Sequence, residues 1–303
     1  MKLGFLTAAF PGMDLKQVAA FAAENGFGML EVACWPAGKS DRRYGGVSHI
    51  DVANLDQAGA REINALLADH RLEISSLAYY PNPLDPDPAH REEVIGHLKK
   101  LIDAAPLLGV ELVGTFVGAD QSKSADQNLE QFDHVWPPIV RYAKERGVKI
   151  VIENCPMLWG DTWPGGRNVA YSPAIWKRMF EVIPDDNFGL NYDPSHLVWQ
   201  MIDHVRPIHE FKDRIWHVHA KDMAIDRELL YQDGVLGAGI RWAIPRLPGL
   251  GEVKWDQVMA ALYAIGYDHV VSIEHEDRAF EETEELVKRG FYLSRDVLMP
   301  YIV

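Results

Sequence analysis

Eight short apolar runs alternate with helix-like stretches, without a break, along the 303 residues of this chain. The runs are Lys2–Thr7, Met29–Ala33, Glu73–Ala78, Glu111–Phe116, Lys149–Glu153, Phe188–Asp193, Ile215–Ala220 and His269–Glu274. Strict strand–helix alternation selects parallel strands joined by right-handed crossovers. Mostly apolar strands imply a sheet covered on its outer face by helices. Asp14 caps the first predicted helix, which runs to about Asn25-Gly26, and further helices are predicted near 57–70, 90–108, 128–146, 172–184, 205–211, 255–265 and 279–298. The proline-rich stretch Tyr79–Pro88 reads as a loop, as do residues 34–56 and 155–171 and the long insertion Met223–Gly251. An open doubly wound sheet would want a G-x-G-x-x-G turn after its first strand, and Thr7–Gly12 lacks one. Eight strands with eight helices and no composition break predict one (β/α)8 barrel domain spanning residues 1–303.

Chemistry on such a barrel sits at the C-terminal strand ends. Four strands end there on a metal-binding type of residue: Glu153, Asp193, His219 and Glu274. Residues two apart share a strand face, so Val151 and Glu153, Asn191 and Asp193, His217 and His219, and Ser272 and Glu274 form inward pairs. Ile152, Tyr192, Val218 and Ile273 then face the helices. Three carboxylates and one imidazole are mostly hard ligands. They suit one divalent ion, Mn²⁺ best, with Mg²⁺, Co²⁺ or Zn²⁺ as alternatives. His217 sits one layer deeper and reads as a hydrogen-bonded interior histidine. His196 follows strand six and is placed to orient a substrate oxygen. Lys221 shares the face of His219 and is placed to neutralise a developing oxyanion, while Asp222 reads as a salt-bridged strand exit. Glu31 ends strand two inward, where it either meets a substrate hydroxyl or braces the barrel floor. Trp35, Trp159, Trp163 and Trp242 fall in loops, suited to stacking on a sugar face or capping the barrel. Cys155, two residues beyond Glu153, reads as a structural thiol.

The formal charge of −14, from 30 basic and 44 acidic residues, disfavours general nucleic-acid binding. No apolar run approaches the roughly 18–20 residues of a membrane helix. The segment Met1–Phe10 has the look of a short leader, but Pro11-Gly12 interrupts it and it reads as the first strand. Two cysteines, Cys34 and Cys155, without CxxC spacing fit a reducing, cytoplasmic setting.

Five motifs extend this reading: Val151-Ile-Glu153-Asn154, Asp193-Pro-Ser-His196, His217-Val-His219-Ala-Lys-Asp222, Gly249-Leu-Gly-Glu-Val-Lys-Trp255 and Ser272-Ile-Glu274. Together they resemble the xylose isomerase-like superfamily of α/β barrels, which holds sugar and inositol isomerases, epimerases and endonuclease IV. The likeness covers residues 149 to 276 well and the N-terminal half only in pattern. It implies that Glu153, Asp193, His219 and Glu274 ligate the metal, that Glu153 and Glu274 form the acid–base pair, and that His196 contacts substrate. The epimerases carry an arginine soon after the metal histidine, whereas here Lys221 comes first and Arg227, Arg241 and Arg246 follow in the insertion. The implied activity is isomerisation or epimerisation of a keto-sugar or similar small carbohydrate through an enediolate, by a protein with a small-molecule substrate, no nucleic-acid or membrane partner, and homo-oligomerisation left open. Two other activities are compatible with the resemblance. One is a lyase or hydratase acting on a 3-keto-sugar or keto-glycoside by β-elimination. The other is an endonuclease IV-like repair enzyme, which needs extra histidines after strands three and four, where this chain reads Ala78-Tyr-Tyr-Pro81 and Thr115-Phe-Val-Gly118. The 223–251 insertion, alone or with the 155–171 loop, is expected to close the barrel mouth.

Overall fold

The structure, a computed structural model, describes residues 1–38, 44–158 and 166–303. Eight parallel strands close into a barrel: β1 (Lys2–Leu6), β2 (Met29–Ala33), β3 (Glu73–Ala78), β4 (Leu112–Thr115), β5 (Lys149–Glu153), β6 (Phe188–Tyr192), β7 (Ile215–Ala220) and β10 (Val270–Ile273). Between the last two lies an antiparallel hairpin, β8 (Asp222–Ile225) and β9 (Ala243–Arg246). Each barrel strand pairs with its sequence neighbours, and β10 closes the ring on β1. The pairing register shifts at Leu30/Glu31 and at Leu190/Asn191. Such irregularities re-aim side chains, and both fall where an inward polar residue, Glu31 or Asn191, enters the barrel.

The helices are α1 (Leu15–Glu24), α2 (Gln57–Asp69), α3 (Pro88–Leu108), α4 (Ala125–Lys144), α5 (Pro173–Val182), α6 (Ser195–Trp199), α7 (Arg206–Glu210), α8 (Arg227–Asp233), α9 (Trp255–Ala264) and α10 (Glu284–Leu298). Local capping chemistry sets several starts. The Asp14 side chain accepts from Gln17 N at 2.8 Å while the Gln17 side chain accepts from Asp14 N at 2.9 Å, a reciprocal cap on α1. Two helices start earlier than apolar periodicity predicts. Asp87 caps α3 with Pro88 in its first turn, and Ser124 with Gln127 caps α4. The last helix starts later, at Glu284, because Thr283 caps it and residues Arg278–Phe280 form a separate 3-10 turn. The short α6 was not expected from the sequence.

Aromatic packing seals the seam between the chain ends. Phe291 of α10 lies 4.7 Å from Phe5 of β1, ring centre to ring centre, and 5.1 Å from Phe10, which meets Phe21 of α1 at 5.0 Å. These rings bury the junction of β10, β1 and their flanking helices.

The insertion is structured rather than a plain loop. Its hairpin has a small core of its own, in which Met223 and Trp242 pack with Trp199 of α6. Trp242 is 2% exposed, so it is a packing residue and not a stacking face for ligand. Asp222 anchors the whole element and makes no salt bridge among the described residues. Its carboxylate accepts from Met223 N at 2.8 Å, Gly249 N and Val253 N at 2.9 Å, and Trp255 Nε1 at 3.1 Å. Gly251 is required beside it, since a Cβ there would stand 2.2 Å from Asp222 Oδ1. Trp159 and Trp163, like Arg42 and Arg43, lie outside the described residues. No helix among the described residues is long and apolar enough to cross a membrane.

Candidate metal centre

Glu153 closes β5, Asp193 follows β6, His219 stands near the end of β7 and Glu274 follows β10, so parallel strands deliver all four to one end of the barrel. One ligand-type atom from each lies within 4.8 Å of those of the other three. All four residues are buried. Glu153 Oε1, Asp193 Oδ2 and His219 Nδ1 have no hydrogen-bond partner among the described residues. Buried polar atoms are rarely left so, and each unpaired group costs about 1–3 kcal/mol. Three such atoms aimed at one point are the donor set a divalent cation would take, so the residues present fit a metal.

Neighbouring groups fix the aim of each donor. Asn154 clamps the Asp193 backbone in both directions, donating to its carbonyl at 2.8 Å and accepting from its N–H at 2.7 Å. Ser195 N donates to Asp193 Oδ1 at 2.8 Å, which leaves Oδ2 facing inward. Glu31 holds the far side of His219, with Oε2 2.8 Å from Nε2. A carboxylate there keeps a proton on Nε2 and leaves Nδ1 as the nitrogen that faces the cavity and would take a metal once deprotonated. Glu31 is itself held by the Tyr80 hydroxyl at 2.5 Å and Ser272 Oγ at 2.9 Å. Burial would raise its pKa, yet His219, His217 and Tyr80 bring it down to about 2. Glu31 is fully buried and does not line the cavity, a position from which it braces His219. His217 takes its expected interior place, 3.1 Å from Ser75 Oγ and 2.9 Å from Asn191 Oδ1. Burial pushes its pKa down to about 3, so it is neutral.

Charge is concentrated here. Lys221, 1% exposed, brings its ammonium 2.6 Å from Glu274 Oε2, 3.1 Å from Asp193 Oδ2, 3.2 Å from Glu276 Oε2 and 3.7 Å from Glu153 Oε1. Burial opposes its charge, but these carboxylates hold its pKa well above the usual lysine value. Burial likewise opposes a charged His219, and Glu31, Glu274 and Glu153 outweigh it, so its pKa stands well above the usual histidine range. Glu153 responds in reverse: burial would raise its pKa, and Lys221, His219 and His196 hold it well below the ordinary value. His196 Nε2 lies 3.4 Å from both Glu153 Oε1 and Asp193 Oδ2 and makes no well-formed hydrogen bond among the described residues. The sulfur of Cys155 joins Glu153 and His196 in a second tight group, nearer the chemistry than a merely structural thiol.

A cavity of about 880 Å³ opens over these groups, with Glu153, His196, Lys221, Glu274 and Glu276 on its polar side. Trp35, Tyr80, Met157 and Leu158 form part of its apolar wall, and Met223, Ile240, Ile244 and Arg246 bring the insertion over the mouth. A cavity of about 780 Å³ at the opposite barrel end, near Trp216 and His269, contains none of the four ligand-type residues. Sequence reasoning missed Tyr80, Asn154, Asn191 and Glu276 as parts of the site. Asn154 and Asn191 carried a signal, being polar at or beside the ends of apolar strands. Tyr80 carried none, because its loop position fixes no direction.

Comparison with known proteins agrees with this architecture. A family model for the xylose isomerase-like TIM barrel matches residues 19–296. The chain is 26% identical over 317 residues to Uncharacterized protein YfiH of Bacillus subtilis (strain 168), covering 91% of this chain and 93% of that protein. It is 29% identical over 120 residues to an inosose dehydratase of Geobacillus thermodenitrificans (strain NG80-2), a match spanning 38% of this chain and 40% of that protein. Among solved structures, IOLI protein with a bound zinc atom superposes with a TM-score of 0.72 at 18% identity, over 100% of this chain and 99% of that one. D-psicose 3-epimerase with D-tagatose, from Clostridium cellulolyticum H10, gives 0.69 at 18% identity over 98% and 99%. At these identities the structures testify to a shared fold.

Proposed function

The chain belongs to the xylose isomerase-like TIM barrel family, and on that premise we propose that it is a divalent-metal-dependent isomerase or epimerase of a keto-sugar or related small carbohydrate. The observation that carries this reading is the buried quartet Glu153, Asp193, His219 and Glu274, three of whose inward atoms have no hydrogen-bond partner among the described residues. These four residues would hold one ion, and the preponderance of carboxylate oxygen favours Mn²⁺. When bound, the ion supplies Lewis acidity, polarising a carbonyl and stabilising the enediolate left when the neighbouring carbon loses a proton. Glu153 and Glu274 reach the same space from strands three places apart around the barrel. One takes the proton and the other returns it, on the opposite face for epimerisation or at the adjoining carbon for isomerisation. His196 and Lys221, on the cavity wall, orient substrate oxygens. The hairpin over the mouth excludes water while the proton is in transit. The two free thiols, Cys34 and Cys155, suit a cytoplasmic setting.

A second reading rests on the inosose dehydratase match. The same proton abstraction, followed by departure of a hydroxyl or glycosyl group from the β carbon, makes a dehydratase or lyase. One experiment separates the readings. Purified protein with Mn²⁺ is incubated in D₂O with ketoses, inososes and 3-keto-glycosides, and the products are followed by NMR and mass spectrometry. A new isomer carrying deuterium beside the carbonyl supports the isomerase or epimerase. Deuterium uptake with loss of water or alcohol supports the lyase. A new isomer formed without solvent deuterium refutes the isomerase or epimerase, and turnover without loss of water or alcohol refutes the lyase.

A further inference from the structure

Lys221 does more in this structure than stand beside the cavity. Its ammonium lies within 3.7 Å of carboxylate oxygens from three of the four candidate ligands, Glu153, Asp193 and Glu274, and it is sealed from solvent. These are the atoms that would surround a divalent ion, and among the described residues Glu153 Oε1 and Asp193 Oδ2 meet Lys221 as an ion-pair partner without a well-formed hydrogen bond. A lysine ammonium is a compact point charge on a flexible four-carbon stem. It can fill the place of a cation and can also leave it. An ammonium and a divalent ion cannot share so small a space, because like charges repel strongly away from water. Lys221 has somewhere else to go. Glu276 Oε2 is 3.2 Å away, and Glu276, partly exposed with a side chain 22% accessible, is outside the ligand quartet and lies on the cavity wall.

We propose that Lys221 is a built-in counter-cation of the metal centre: it offsets part of the carboxylate charge in the metal-free chain, and metal loading displaces its ammonium onto Glu276, at the cavity wall where substrate oxygens arrive. The inference rests on the metal-centre reading above and adds an order of events. Metal entry places the lysine for substrate, so the two binding steps are coupled through one side chain. It also means that the metal-free carboxylates are held apart by a cation rather than left as a bare cluster of buried like charges, which would repel one another.

The test is calorimetric titration of chelator-stripped protein with Mn²⁺, comparing wild type, K221M, E276Q and the double variant. Methionine keeps the length of the stem and removes the competing charge. K221M should bind Mn²⁺ at least tenfold more tightly. E276Q removes the second seat of the lysine and should weaken Mn²⁺ binding several-fold, but only while Lys221 is present. In the K221M background the E276Q change should have little effect. Affinity of K221M equal to or below wild type overturns the proposal. So does an equal effect of E276Q in both backgrounds, which would make Glu276 a plain electrostatic contributor. If K221M folds only with metal, it is purified with Mn²⁺ and its rate of metal loss to excess chelator is measured. Slower loss than wild type supports displacement, and equal or faster loss refutes it. Failure of the wild-type protein to bind Mn²⁺ or Zn²⁺ at all would instead refute the metal-centre reading itself.

Discussion

Replacing Glu31 with glutamine tests whether the metal centre depends on a residue that is outside it. Glu31 is completely buried and ionised, and its three hydrogen-bond partners present donors: His219 Nε2 at 2.8 Å, Ser272 Oγ at 2.9 Å and the Tyr80 hydroxyl at 2.5 Å. Glutamine keeps the size but offers one acceptor and one NH₂ donor. The hydroxyls of Tyr80 and Ser272 can rotate to accept, whereas His219 can accept at Nε2 only by changing tautomer. That change would place its proton on Nδ1, the atom 3.2 Å from Glu274 Oε2 that faces the metal position. In either orientation of the amide, His219 loses a hydrogen bond to a charged acceptor, worth about 1.5–3 kcal/mol. The expected result is Mn²⁺ binding weaker by roughly 10- to 100-fold, the range usual for partners that orient a metal-ligating histidine. The assay is Mn²⁺ titration calorimetry on E31Q beside wild type, with circular dichroism to verify the fold. Metal affinity within about twofold of wild type, in a folded E31Q protein, would refute the claim that Glu31 sets the tautomer of His219.

Three more outcomes follow from the same geometry. E153Q and E274Q should each lower kcat by about 10²–10⁴ on the true substrate, with metal content measured in parallel to separate lost base from lost ligand; full activity in either would remove that residue from the acid–base pair. Because His219 has a raised pKa in the metal-free chain, the metal must displace its proton, so Mn²⁺ affinity should fall as pH falls, by up to about tenfold per pH unit below that pKa. Titrations between about pH 6 and pH 8 in two buffers of different ionisation enthalpy should detect the released proton, and a pH-independent affinity would contradict this. D222A leaves three buried donors and one partly buried donor unpaired and should lower unfolding free energy by about 3 kcal/mol or more in urea, with D222N losing less; a loss below about 1 kcal/mol would show that the hairpin does not depend on this anchor.

The sequence alone determined the barrel and the polar ends of its strands. Period-two patterning makes that possible: once β5 is a strand, Val151 and Glu153 must share a face, and the same holds for His217 and His219. Alternation with helices then forces the strands parallel and brings their C-terminal ends together. Helix starts were less legible, because Asp87 and Ser124 cap α3 and α4 ahead of the apolar periodicity that announces them. Only the tertiary structure decided what surrounds the four ligand-type residues. Glu31 and His219 are 188 positions apart, and Tyr80 and Asn191 are 111 apart, so no local pattern links them. The insertion misled for a related reason. Residues 223–251 show no clear strand or helix period, since Trp242 and Met223 are buried against Trp199 from another element and Asp222 pays the polar cost of the turn with its four acceptor contacts. Lys221 shows the same division. Its face was fixed by its spacing from His219, but its contact with four carboxylates from the ends of three separate strands depends on the closure of the barrel.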